Sequence, residues 1–121
     1  MTPTDKVFVA GGRGLVGSAI RRALAARGFA HVLAPPRAEL DLRDAAAVRS
    51  FFAHHRPTHV FMAAAKVGGI LANDTYPADF IRDNLEIQTN VIDSAYRHVA
   101  QKLLFLGSSC IYPRLAPQPI R

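Results

Sequence analysis

Short apolar runs alternate in this chain with longer stretches whose apolar residues return every three or four positions. KVFVA (6–10), HVLA (31–34), HVFMAAA (59–65) and KLLFLG (102–107) are the runs, and each has the length and composition of a β-strand. Between the first two, Val16, Ala19, Ile20, Ala23 and Leu24 recur at helical spacing over 15–27, with Gly28 as the stop. ELDL (39–42) reads as a brief further strand. Asp44 is then the expected N-cap of a helix carrying Val48, Phe51 and Phe52 on one face, ended by Arg56 and Pro57. Pro77 suits the first turn of a long helix. Its predicted apolar stripe is Ile81, Leu85, Ile92, Ala95 and Val99, with Phe80, Ile87 and Val91 beside it. Strands separated by helices predict an α/β fold, a parallel sheet covered on both faces. The run at 59–65 is apolar throughout, as a strand buried on both faces must be.

At 121 residues the chain is expected to form a single domain (1–121). Half of its residues are apolar and 20% are charged, an ordinary globular balance. The net charge of +6 raises the question of nucleic acid, but the arginines are scattered and form no stripe with aromatics. A solvated surface or a small anionic partner accounts for the charge. A single cysteine, Cys110, allows no internal disulfide, which suits a reducing compartment and predicts a cytoplasmic protein. The N-terminus has no signal-peptide pattern, and no run is long enough to span a bilayer. The five histidines show no metal-ligand spacing with Cys110, so no metal site is expected.

GGRGLVG (11–17) follows the first strand and enters the first helix. In such a loop Gly11 permits the tight turn, Gly14 lets backbone approach a pyrophosphate, and Gly17 lets the helix pack closely. A dinucleotide-binding loop is the reading, with a purely structural turn as its rival. An NAD-selective site offers an acid at the end of the second strand. Here Ala34, Pro35, Pro36 and Arg37 follow that strand, and Arg13 lies within the glycine loop. Two guanidinium groups and no acid favour the 2′-phosphate of NADPH, although solvated arginines would look the same. Asp41 and Leu42 are placed where adenine could rest. Ala63, Ala64 and Ala65 leave room for a ribose or pyrophosphate, and simple packing is the rival for both groups.

GGRGLVGSAIRR, AAAKVGGI, NDTYPADFI and LLFLGSSCIYP together resemble the N-terminal half of the GDP-L-fucose synthases, within the extended short-chain dehydrogenase/reductase family. The likeness runs from about Val7 to Pro119. It implies a Rossmann-like doubly wound parallel sheet, truncated before the substrate-binding portion, and NADP as cofactor. It also implies 3,5-epimerisation and 4-reduction of GDP-4-keto-6-deoxy-mannose, in an enzyme that is a homodimer at full length. By the same resemblance Gly11, Gly12, Arg13, Gly14, Leu15, Val16 and Gly17 form the pyrophosphate loop. Arg37, Asp41 and Leu42 flank the 2′-phosphate and adenine. Ala64 and Ala65 end the fourth strand, and Leu106, Gly107, Ser108 and Ser109 face the nicotinamide. Ser108 matches the serine that hydrogen-bonds the reacting oxygen, and Cys110 the cysteine that moves protons.

The residues leave rival explanations open. A serine after a strand often caps a turn, and a lone cysteine is often a buried small hydrophobe. Lys66, Gly68 and Gly69 could line the sugar-nucleotide side, and Asn84 is expected to hydrogen-bond something buried. The family's Tyr-x-x-x-Lys pair is absent: the residues four after Tyr76, Tyr96 and Tyr112 are Phe80, Ala100 and Ala116. Three readings therefore stand: the N-terminal part of such a synthase, the same part of another extended short-chain epimerase or dehydratase, or a non-catalytic dinucleotide-binding module.

Overall fold

The computed structural model describes residues 1–64, 75–107 and 113–119. Its elements are β1 (Val7–Ala10), α1 (Leu15–Ala26), β2 (Val32–Leu33), α2 (Ala45–His55), β3 (His59–Met62), α3 (Pro77–Arg97) and β4 (Lys102–Phe105). The four strands are parallel, in the order β2-β1-β3-β4. The α/β expectation holds, with a Rossmann-like sheet at its centre.

β1 shows why the helices take opposite faces. All four of its residues are buried, and a strand sends successive side chains to opposite sides. Val7 and Val9 pack with Leu24 of α1 on one face. Phe8 and Ala10 pack on the other with Val48 and Phe52 of α2, Val60 and Met62 of β3, and Val91 and Ala95 of α3. The Phe8 and Phe52 rings meet edge to face at 5.5 Å, a favoured arrangement for an aromatic pair.

The predicted helix ends are largely where turn chemistry puts them. The Asp44 carboxylate accepts from the Ala47 N–H at 3.1 Å and so caps α2. Arg56 closes the same helix in the left-handed conformation, with Pro57 buried behind it. Gly28, at φ +81°, follows the last residues of α1.

Two expectations are corrected. The segment 39–42 is not a strand. The N–H groups of Glu39 and Leu40 both donate to the Pro36 carbonyl, closing a turn, and Leu40 is buried in the core with Leu42 packed against it. On α3 the buried face is Phe80, Asp83, Val91, Ser94 and Ala95, so of the predicted stripe only Ala95 is buried, along with the neighbouring Phe80 and Val91. Ile81 is 61% exposed and Val99 77%, and Leu85 and Ile92 are exposed as well. Two apolar stripes lie side by side on this helix, and contact with α2 and the sheet selects the one that includes Ile87.

Candidate functional site

The chain leaves β1 toward β2 on one side and later returns to β3 on the other, so the connections diverge at the C-terminal ends of β1 and β3. A parallel sheet opens a crevice at such a reversal. A cavity of about 400 Å³ lies there, lined by the loop after β1, the turns after β2 and the residues that follow β3.

The glycine loop forms one wall. Gly11 has φ +78°, which L side chains rarely adopt, and a Cβ there would come within 2.7 Å of the Ala64 backbone. Gly17 is buried in the first turns of α1, where a Cβ would overlap the Gly11 carbonyl oxygen. Gly14 is different. A Cβ would meet nothing nearer than the Gly11 oxygen at 3.6 Å, so the protein's own packing does not require a glycine there. Gly14 begins α1 without a side-chain cap, leaving the positive end of the helix turned to the cavity. Two side chains of α1 steady the loop from behind: Ser18 Oγ and Arg21 Nη1 donate to the Gly12 carbonyl at 3.3 and 3.2 Å.

Gly11, Gly12, Arg13, Gly14, Leu15, Val16, Arg37, Asp41, Leu42 and Ala64 all border this one cavity. Leu15 is 89% exposed, an apolar side chain held at the rim. Gly17 lies behind the loop. Leu106 and Gly107 follow β4, are exposed, and are not among the described residues that line the cavity. Ala65, Lys66, Gly68, Gly69, Ser108, Ser109 and Cys110 fall outside the described residues.

Two lining residues escaped the sequence reading, Arg43 and Asp83. Arg43 binds Asp41 in bidentate fashion, Nε to Oδ1 at 3.1 Å and Nη2 to Oδ2 at 2.9 Å. That pairing holds the Asp41 carboxyl down at about 2, with hydrogen bonds from Arg43 as the leading cause. Asp83 on α3 is 3% exposed, with Arg43 and Arg82 each 3.6 Å away. Asn90 Nδ2 donates to the Leu42 carbonyl at 2.9 Å, so α3 grips the 41–43 segment at two points. Asn84, expected to hydrogen-bond a buried group, is half-buried, and its neighbour Asp83 is the deeper of the two. Spacing carried the signal: Asp83 is three residues after Phe80 and four before Ile87.

Among the described residues, neither Arg13 nor Arg37 is paired with a carboxylate, and both are exposed. The cavity thus joins a helix N-terminus, two unpaired guanidinium groups and apolar walls. That set can take a ligand with several anionic groups and a flat ring.

The family model for the NAD dependent epimerase/dehydratase family matches residues 7–121. The chain belongs to that family. It is 65% identical over 115 residues to GDP-L-fucose synthase 1 of Arabidopsis thaliana, covering 95% of this chain and 36% of the relative. It is 57% identical over 116 residues to GDP-L-fucose synthase of Escherichia coli K12, covering 96% and 36%. Among solved structures, MlghC, a GDP-mannoheptose C4 reductase from Campylobacter jejuni with NADP bound, superposes with a TM-score of 0.94 at 39% identity. That match covers all of this chain and 38% of the other. The chain therefore spans little more than a third of the length of the proteins it resembles.

Proposed function

We propose that residues 1–121 are the NADP-binding portion of a GDP-L-fucose synthase, which converts GDP-4-keto-6-deoxy-mannose to GDP-L-fucose. One observation carries this reading. Among the described residues Arg13 and Arg37 line the cavity without an ion pair, while Arg43 occupies Asp41, a carboxylate that could otherwise serve a ribose hydroxyl. Guanidinium groups that form no ion pair suit a 2′-phosphate, and an ionised Asp41 already bound by Arg43 repels it less. The NADP named with the C. jejuni reductase supports the same choice.

The glycine loop fits a pyrophosphate. Gly11 and Gly17 are required by backbone geometry, whereas Gly14 faces the cavity with space for a ligand's oxygens. Bound there, the reduced nicotinamide supplies hydride. The chain's own residues handle protons and the reacting oxygen. The C4 carbonyl of the sugar acidifies the C–H bonds at C3 and C5, so a base on one face and an acid on the other can invert both centres. Cys110 is the proton-transfer residue in this reading, and Ser108 hydrogen-bonds the carbonyl oxygen as negative charge develops on it. Homodimeric assembly at full length and a cytoplasmic setting, consistent with the single cysteine, complete the proposal.

No Tyr-x-x-x-Lys pair lies within residues 1–121, so no phenol with a lysine one helical turn away is at hand to protonate the C4 oxygen. Residues 1–121 alone are therefore expected to give no measurable turnover of GDP-4-keto-6-deoxy-mannose with NADPH. A form extended to the length of its relatives is expected to turn it over. The test is the two assays side by side. Equal turnover by the short chain, or none by the extended form, sinks the reading.

A further inference from the structure

Among the described residues three guanidinium groups line the cavity, and they are not equivalent. Arg13 and Arg37 are exposed and have no carboxylate partner among the described residues. Arg43 is gripped from two sides. Its Nε and Nη2 are committed to Asp41, and Nη1 points toward Asp83 at 3.6 Å. Arg82 lies 3.6 Å from the other Asp83 oxygen and is shared with Asp79 at 3.8 Å. With Asp79 and Glu86 also acting on these two arginines, the cluster carries no net positive charge and has little attraction for a phosphate.

Contacts made in the plane of a guanidinium fix that plane and leave its flat faces uncommitted. Arg43 keeps a third of its side chain exposed, and it borders the cavity beside Leu40, Leu42 and Ile87. A weakly hydrated planar cation fixed in its plane on a cavity wall that also carries apolar side chains is suited to stack on an aromatic ring. We propose that Arg43 reads the base of the bound nucleotide, its guanidinium face stacking on the purine, while Arg13 and Arg37 take phosphate. This assignment rests on the dinucleotide reading given above. It makes the Asp41–Arg43–Asp83 cluster the device that orients the stacking plane, and it gives the buried carboxylate of α3 a task in binding.

The experiment uses two probes, 5′-AMP and adenosine 2′,5′-bisphosphate, titrated into the intact protein and into its Arg43→Ala, Arg43→Lys and Arg37→Ala variants. Arg43→Ala is expected to weaken both probes by a common factor of roughly three to thirty, the range for a lost cation–aromatic contact. Arg37→Ala should weaken the bisphosphate far more than AMP. Arg43→Lys separates stacking from a purely ionic clamp, because lysine keeps the charge between Asp41 and Asp83 but has no plane. Loss of both probes in Arg43→Lys, with an unchanged thermal melt, supports the proposal. Full affinity in Arg43→Lys overturns it, as does a loss confined to the bisphosphate. If Arg43→Ala does not fold, the Arg43→Lys result decides alone. A wild-type protein that binds neither probe brings down the dinucleotide reading and this proposal together, whereas normal binding that Arg43 variants leave untouched removes only the latter.

Discussion

Val99 ends α3 in the same left-handed conformation that Gly28 adopts at the end of α1. The φ angles are 59° and 81°. Each residue sits in a full Schellman closure: Phe29 N–H to the Leu24 carbonyl and Gly28 N–H to Ala25 in one, Ala100 N–H to Ala95 and Val99 N–H to Tyr96 in the other. A β-branched residue in this region is strained, and Val99 is 77% exposed, so little packing offsets the strain. Val99→Gly is expected to raise stability by about 1 kcal/mol. Gly28→Val should lower it by a similar amount. Chemical denaturation of both variants checks this, and a destabilised Val99→Gly would show that the exposed isopropyl group is held by something else.

In the proposed reading, cofactor choice rests on Arg37 and Arg13. Replacing a phosphate-binding guanidinium with a carboxylate removes a charge-assisted contact and adds repulsion. Arg37→Asp is expected to lower NADPH affinity roughly ten- to a hundred-fold, with NADH affinity little changed or improved. Parallel titrations of wild type and variant with both dinucleotides provide the measurement. A wild type that binds NADH as tightly as NADPH contradicts the assignment.

The pH profile of stability has two named contributors. Burial, then the neighbouring His54 and Lys6 charges, lowers the His55 pKa below its ordinary 6.5. The unfolded chain therefore takes up a proton at this residue before the folded one does. Stability should fall as pH drops from about 6.5 toward the depressed folded value, and this group contributes no slope above that window. Asp41 acts at lower pH. Its carboxyl is held at about 2, against an ordinary 3.8, by hydrogen bonds from Arg43. The stability it contributes is complete above the ordinary value and is lost as pH falls toward about 2. His55→Gln should flatten the first window and leave the second alone, as read by denaturation midpoints between pH 2 and 8.

Cys110→Ser separates the two halves of the proposed chemistry. A serine hydroxyl is a far weaker base than a thiol, so in a form with the length of its relatives the proton transfers at C3 and C5 should slow. The expected loss is on the order of 10²–10⁴, while hydride transfer to C4 is less affected. Solvent deuterium incorporation into the sugar reports the proton steps directly. Incorporation at the wild-type rate in Cys110→Ser would leave the cysteine as packing alone.

Strand positions, the α/β class, the Asp44 cap, the glycine loop and the absence of an acid after β2 were all legible from short windows of sequence. They follow from properties that act over a few residues: alternation in a strand, the freedom of glycine, the reach of a capping carboxylate. The ELDL segment misled because four residues of mixed polarity suit an edge strand and a turn equally, and Pro36 supplied the acceptor that closed the turn. The buried face of α3 misled for a different reason. Its two apolar stripes are similar in composition, and burial went to the one that α2 and the sheet could cover, which left Ile81, Leu85 and Ile92 outside. Arg43 and Asp83 are 40 residues apart in sequence, and an ion pair at that separation has no periodicity to betray it. Their meeting depends on how α3 crosses the segment before α2, a matter of packing between elements that no local propensity encodes.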